Sequence, residues 1–164
     1  MTAPVLDACC GSRAFWFQHD DERALFIDNR SATYRIDSGT PGTIGRSDIA
    51  IAPDIVADFT AMPFPSESFH LVVFDPPHVQ RSAPLGAVTQ RYGVLTGDWR
   101  DMLRRGFAEC FRVLKPNGTL VFKWAESQFR VREIVEIAPV RPLFGHQTSK
   151  TTHWCVFIKP ERAA

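Results

Sequence analysis

The sequence predicts an α/β fold: a mostly parallel, doubly wound sheet with an antiparallel C-terminal hairpin, in one domain spanning residues 1–164. Three observations predict it. Short apolar runs ending in an acidic residue recur through the first half. One long amphipathic segment follows. Two closing apolar runs are then joined by a connection too short to hold a crossover helix.

Val5-Leu6 leads into Asp7, Ala24-Leu25-Phe26-Ile27 into Asp28, Ile55-Val56-Ala57 into Asp58, and Leu71-Val72-Val73-Phe74 into Asp75. Such continuous apolar runs read as strands buried on both faces. Residues 38–48 are dense in Gly, Pro and Thr and read as a loop. From Asp98 to about Leu114, Trp99, Met102, Leu103, Gly106, Phe107, Cys110, Phe111 and Leu114 recur at helical spacing. Arg100, Arg104, Arg105 and Arg112 lie mostly off that face and read as its solvated side. Lys115-Pro116-Asn117-Gly118 reads as a stop and tight turn. Thr119 to Trp124 is then the next strand, and Glu126 to Ile137 a second helix. Val140–Phe144 and Trp154–Lys159 read as the antiparallel pair around the polar loop Gly145–His153, and the tail from Glu161 to Ala164 is expected to fray.

The formal net charge is only +1, but residues 1–80 carry 5 Lys/Arg against 11 Asp/Glu, and residues 81–164 carry 14 against 7. That layout fits a neutral or cationic cofactor on one side and an anionic partner on the other, or a plain mixed surface. No apolar run reaches the ~20 residues of a membrane span, and Met1-Thr2-Ala3-Pro4 opens without a signal pattern. A cytoplasmic chain with no membrane partner is expected. Cys9, Cys10, Cys110 and Cys155 form no CxxC pair, which argues against a disulfide scaffold or a zinc finger. Cys9 and Cys10 read as small packing residues under a loop, and no metal is expected.

In sheets of this kind ligands lie beyond the carboxyl ends of the strands, where Asp7, Asp28, Asp58 and Asp75 fall. Each alone is more often a turn former or helix cap; four at four strand ends point to a site. The stretch Val5-Leu6-Asp7-Ala8-Cys9-Cys10-Gly11-Ser12-Arg13 contains one glycine, not the fingerprint that cradles a pyrophosphate, so a nicotinamide oxidoreductase is disfavoured. Asp28 comes 21 residues after Asp7, near the offset of a carboxylate that holds ribose hydroxyls, a pair that alone fits a dinucleotide site almost as well.

The stretch from Asp58-Phe59-Thr60-Ala61-Met62-Pro63-Phe64 through Ser68-Phe69-His70 to Asp75-Pro76-Pro77-His78 resembles a passage in class I S-adenosylmethionine-dependent methyltransferases. There it links the adenine-binding acid to the catalytic motif, with Asp usual where His70 stands. Phe111–Leu120 resembles that family's passage from helix into fifth strand, so the resemblance spans residues 5–124 in order. It implies a Rossmann-like seven-stranded sheet and S-adenosylmethionine as cofactor. Asp7–Ser12 and Asp75–His78 resemble the cofactor loop and the Asp/Asn-Pro-Pro-aromatic tetrapeptide of small stand-alone bacterial and phage enzymes that methylate amino groups of nucleic-acid bases. Arg13 stands where Gly is usual, and His78 where a larger aromatic residue is usual. The resemblance implies methyl transfer to an exocyclic amino nitrogen, adenine N6 foremost. Asp75 and the Pro76 carbonyl would accept the amine's hydrogens, Pro76 and Pro77 would fix that carbonyl, and His78 would stack on the base. It places Asp7, Ala8, Cys9, Cys10, Gly11, Ser12, Asp28, Asn29, Asp58, Phe59 and Asp75 around the cofactor.

On the substrate side the candidates are His78, Arg81, Arg91, Tyr92 and Lys150, on or beside the polar stretches 79–97 and 145–152, with Lys123 and Trp124 at the end of the strand Thr119–Trp124. Arginines there suit phosphates and Tyr92 suits base stacking, while Trp124 reads equally well as core. His19, His70, His146 and His153 read as surface or loop residues. No separate target-recognition domain is expected. A DNA or RNA partner, single-stranded or structured, would then be chosen loosely, by shape, or with a second subunit or accessory partner. Two other readings stay open: N-methylation of a protein side chain or small molecule, and a non-catalytic S-adenosylmethionine-binding protein.

Overall fold

The computed structural model describes residues 3–37, 46–80 and 87–161, and only the backbone of residues 36, 37, 46, 47, 87, 88 and 91. In chain order the elements are β1 (Val5–Asp7), β2 (Ala24–Asp28), β3 (Ala32–Asp37), β4 (Arg46–Ile51), β5 (Ile55–Val56), β6 (Phe69–Phe74), α1 (Ala87–Tyr92), α2 (Trp99–Val113), β7 (Leu114–Ala125), α3 (Val131–Val135), β8 (Phe144–Gln147) and β9 (Thr152–Ile158). Seven strands form one sheet in the order β5-β2-β1-β6-β7-β9-β8, and β3 and β4 make a separate antiparallel pair. The first five strands of that order run parallel, while β9 is antiparallel to both β7 and β8. The expected architecture is present. None of the helices is long and apolar enough to cross a membrane among the described residues.

Strand register separates the two faces. Leu6, Val72, Phe74, Leu120, Phe122, Trp124 and Phe157 share one core with the apolar stripe of α2. Asp98 caps that helix, its Oδ1 accepting the N–H groups of Arg100 and Asp101. Gly106 faces the sheet at close range: a Cβ there would come within 2.7–2.8 Å of the Phe59 and Phe74 rings. The opposite face carries the register row Phe26–Asp7–Val73–Val121–Val156. Residues 8–23 connect β1 to β2 over this side through turns, without a helix, and Trp16 packs on Phe26.

Five expectations need correction. Ile55 and Val56 are exposed, because β5 is a two-residue edge strand and not one covered on both faces. Residues 46–48 belong to β4, not to a loop, while positions 38–45 lie outside the described residues. Lys115–Gly118 does not separate α2 from the next strand. β7 starts at Leu114 and absorbs the predicted turn as a bulge: Phe69 pairs with Leu114 and Leu71 already with Thr119, with Asn117 at φ 61°. The second helix shrinks to α3, because Glu126 accepts the Val131 N–H at 2.8 Å and caps the helix from outside. The penultimate strand moves to Phe144–Gln147, since Pro142 has no N–H to donate to a ladder across 140–143.

Arg112 is not on a solvated face either. It pairs with Glu109 at 2.6 Å and donates to the carbonyls of Phe64 and Met62, while Glu109 accepts the Met62 N–H. The pair clamps residues 62–64 onto α2. By contrast, Arg104 and Arg105 pair with Asp101 on the exposed side. The expected frayed tail lies beyond the described residues except for Glu161, which is exposed.

Candidate functional site

A cavity of about 530 Å³ opens at the carboxyl ends of β1, β2 and β6. Its walls include Ala8–Ser12, Asp28–Arg30, Asp58, Phe59, Asp75, Pro77, Lys123 and the end of α1 at Tyr92. Its size is in the range of small-molecule sites, roughly 300–1,000 Å³.

The loop after β1 is stitched into both neighbouring strands. Ala8 donates to the Val73 carbonyl and Cys10 to that of Ile27, both at 2.9 Å. Gly11, at φ 49°, points its N–H at Asp28 Oδ2 at 3.0 Å. Arg13 also sits in the left-handed region, at φ 56°, which favours glycine. Its side chain offsets that strain: the guanidinium lies 3.8 Å over the Phe26 ring, pairs with Asp54 at 3.0 Å, and donates to the carbonyls of His19 and Ala52. Burial pushes the Cys9 thiol up and that of Cys10 up to about 12, so neither is a thiolate.

The four strand-end acids divide by role. Asp7 is wholly buried and does not line the cavity; its oxygens accept the Cys9 N–H at 3.1 Å and the Trp16 indole at 2.7 Å. Burial raises its pKa to about 7 against the opposing pull of those hydrogen bonds. Asp28 lies on the cavity wall with both oxygens engaged, by Gly11 and by a two-pronged contact with Arg30 at 2.9 and 3.1 Å. Arg30 also donates to the Gln90 carbonyl of α1. Asp58 is exposed and holds a turn, accepting from Thr60 N and Oγ1 at 2.8 Å while still edging the cavity. Asp75 is ion-paired to Lys123 through Oδ2 at 2.6 Å. Burial raises its pKa, and Lys123 pulls the other way.

The remaining candidates scatter. Ala8, Cys9, Cys10, Gly11, Ser12, Asn29, Phe59, Pro77, Tyr92 and Lys123 line the cavity. Pro76 is buried and does not line it. His78 is buried and off the cavity wall, tilted against Tyr92 at 5.5 Å and edge-on to Trp124, so the structure gives it no open face for stacking. Desolvation lowers its pKa to about 4 and keeps it neutral. Trp124 is core, its indole donating to the Phe129 carbonyl. Lys150 is exposed in the β8–β9 turn and does not line the cavity. Arg81 and the Arg91 side chain fall outside the described residues. His70, read as a solvent-satisfied surface residue, is exposed and meets Lys115 Nζ at 2.9 Å. No cluster of three or more metal-ligating side chains occurs among the described residues.

No known family model and no curated protein sequence matches the chain. Solved structures do. The PH0226 protein of Pyrococcus horikoshii superposes with a TM-score of 0.58 at 16% identity, over 96% of this chain and 81% of its own. A TehB-like SAM-dependent methyltransferase from Corynebacterium glutamicum gives 0.59 at 15% identity, over 97% and 80%. The fold is that of the class I methyltransferases. Another neighbour is the 1,6-didemethyltoxoflavin-N1-methyltransferase of Burkholderia thailandensis, with bound 1,6-didemethyltoxoflavin and S-adenosylhomocysteine (0.56, 12% identity, 96% and 71% coverage).

Among the residues of the methyltransferase-fold cavity region that escaped sequence reasoning are Phe15, Trp16, Arg30 and Tyr34. Phe15, Arg30 and Tyr34 line it, and Trp16 supports it through Asp7. Arg30 follows Asp28 by two positions, a spacing that could have suggested the pair. Phe15 and Trp16 stand in a segment without helical or strand periodicity, which carries no signal of burial.

Proposed function

We propose that the chain transfers a methyl group from S-adenosylmethionine to an exocyclic amino nitrogen of a nucleic-acid base, adenine N6, with Asp75 as the catalytic carboxylate. The observation that carries the reading is the position of Asp75. It lies in the same cavity as the Gly11 loop and Asp28, and Pro76-Pro77 follows it at once. The cavity fits this cofactor better than a pyrophosphate carrier: its wall bears carboxylates and a single-glycine loop, and no glycine-rich cradle. In this reading Asp28 takes the ribose hydroxyls in place of the Arg30 guanidinium. The Asp58–Phe59 edge takes the adenine, and the Ala8–Ser12 loop takes the chain between.

When bound, S-adenosylmethionine supplies an electrophilic methyl, and the sulfur keeps the electron pair of the broken S–C bond. The protein's work is alignment and proton handling. Asp75 accepts a hydrogen of the incoming amine, which concentrates its lone pair on nitrogen, and takes up the proton shed as the N–C bond forms. Pro76 and Pro77, with φ restricted by their rings, hold the carboxylate's backbone in place. Tyr92 and Phe15, which line the cavity where His78 does not, supply the flat faces for a ring. Alignment of this kind can contribute on the order of 7–11 kcal/mol to the barrier.

The burial of His78 favours a second reading, with a small heterocyclic amine as acceptor, because the expected base-stacking platform is withdrawn from the cavity. One experiment separates the two. Protein is incubated with methyl-labelled S-adenosylmethionine and, in parallel, DNA, total RNA, and small heterocyclic amines. Label in nucleic acid that falls about 10²–10³-fold in Asp75→Asn supports the first reading. Label confined to the small-amine pool selects the second, and no label in any pool refutes both.

A further inference from the structure

We infer that Lys123 is a positioning residue that acts through Asp75: it holds one carboxylate oxygen and leaves the other to the acceptor. The inference rests on the amine-methylation reading above. β6 and β7 are adjacent parallel strands, and Lys123 lies one register step beyond the Phe74–Phe122 pair, so its side chain reaches across to Asp75. The contact is a 2.6 Å ion pair between Nζ and Oδ2, and both side chains are largely buried, at 17% and 7% exposure. Among the described residues no hydrogen bond reaches Oδ1. The ammonium is also fixed in place. Its Nζ lies 5.7–5.9 Å from the ring centroids of Phe15, Tyr92 and Trp154, which come from three separate segments of the chain.

This arrangement answers a physical difficulty. A carboxyl buried as Asp75 is tends toward its neutral form. A neutral carboxyl presents an O–H and accepts an amine hydrogen poorly. Among the described residues the titratable neighbours offer no other remedy. Asp7 on β1 and Asp28 across the cavity carry the wrong sign, and Cys9 and Tyr92 are not cations. His78 is kept neutral, and Arg30 is already bound to Asp28. Lys123 is therefore the cation that keeps Asp75 an acceptor. Because it contacts Oδ2 alone, it does so without closing the site.

The test reads Asp75 directly. With carboxyl-¹³C aspartate in the protein, and Asp75→Asn to assign the signal, the Asp75 resonance is titrated in wild type, Lys123→Met and Lys123→Arg. The acid limb of kcat/KM for methyl transfer is followed alongside. Lys123→Met should raise the titration midpoint by about one pH unit or more and move the acid limb with it. Lys123→Arg should return both toward wild type. Should the methionine variant not fold, Lys123→Gln removes the charge while keeping a donor for Oδ2, and the same shift is expected. An unmoved Asp75 titration overturns the inference, and so does an acid limb that stays in place while the titration moves. If the wild type methylates nothing, the amine-methylation reading fails, yet the carboxyl titration still decides whether Lys123 governs Asp75.

Discussion

Asp7 makes stability depend on pH through a buried carboxyl. Its pKa stands at about 7 in the folded chain against an ordinary 3.8, so between those values the folded state holds a proton that the unfolded state has released. Stability must then fall as pH rises through that window. Over about three pH units at ~1.4 kcal/mol each, the loss is roughly 4 kcal/mol. His78 works in the opposite sense. Burial lowers it from 6.5 to about 4, the folded state binds fewer protons there, and its contribution grows as pH rises across that range. In the wild type the two oppose each other below pH 6.5. Asp7→Asn removes one titration and keeps an acceptor for one of the two donors, the Cys9 N–H or the Trp16 indole. The variant should be the weaker protein at pH 4, by about 1–2 kcal/mol for the lost hydrogen bond. It should gain on the wild type by roughly 4 kcal/mol by pH 8, which is about 2 M in urea midpoint at a slope near 2 kcal/mol/M. The assay is urea unfolding of both proteins at half-unit steps from pH 4 to 8. Parallel curves would refute the reasoning, since they would mean Asp7 titrates alike folded and unfolded.

Two more outcomes follow from the packing and the cavity wall. Gly106→Ala sets a methyl 2.7–2.8 Å from the Phe59 and Phe74 rings, both buried. It should cost about 1–3 kcal/mol by overpacking, seen as a melting point lowered by roughly 4–8 °C for a mid-range loss; an unchanged melting point would show that α2 can lift off the sheet at no cost. Arg30→Ala frees the Asp28 oxygens that ribose hydroxyls would otherwise have to win from the guanidinium. Calorimetry should show S-adenosylhomocysteine binding tightened about tenfold, and weaker binding would place Arg30 among the ligand's own contacts.

Strands β1, β2 and β6 were legible because they are continuous apolar runs ending in an acid, and the long helix because its apolar stripe is unbroken. What escaped depended on contacts between distant residues. Nothing local distinguishes the turn at Lys115–Gly118 from a bulge; pairing of β7 with β6 and β9 decides it. The acids at the strand ends were visible as a set. Their partners were not, because Asp7 needs Trp16 and Asp75 needs Lys123, a residue 48 positions away. His78 looked available for stacking because its burial comes from Tyr92 and Trp124, which reach it only in the folded chain.

The strand order carries a consequence for how the chain is made. β1 lies between β2 and β6, and β6 must wait for β7, which is itself flanked by β9. A ribosome releasing this polypeptide from its amino end has delivered the middle of the sheet early and its far side last. Until β7 and β9 emerge, Leu6, Val72 and Phe74 have no Phe122 or Phe157 to complete their surroundings. The nascent first half is therefore committed to remaining sticky throughout most of its synthesis, and closure comes as a late, collective event rather than by growth from the first strand outward.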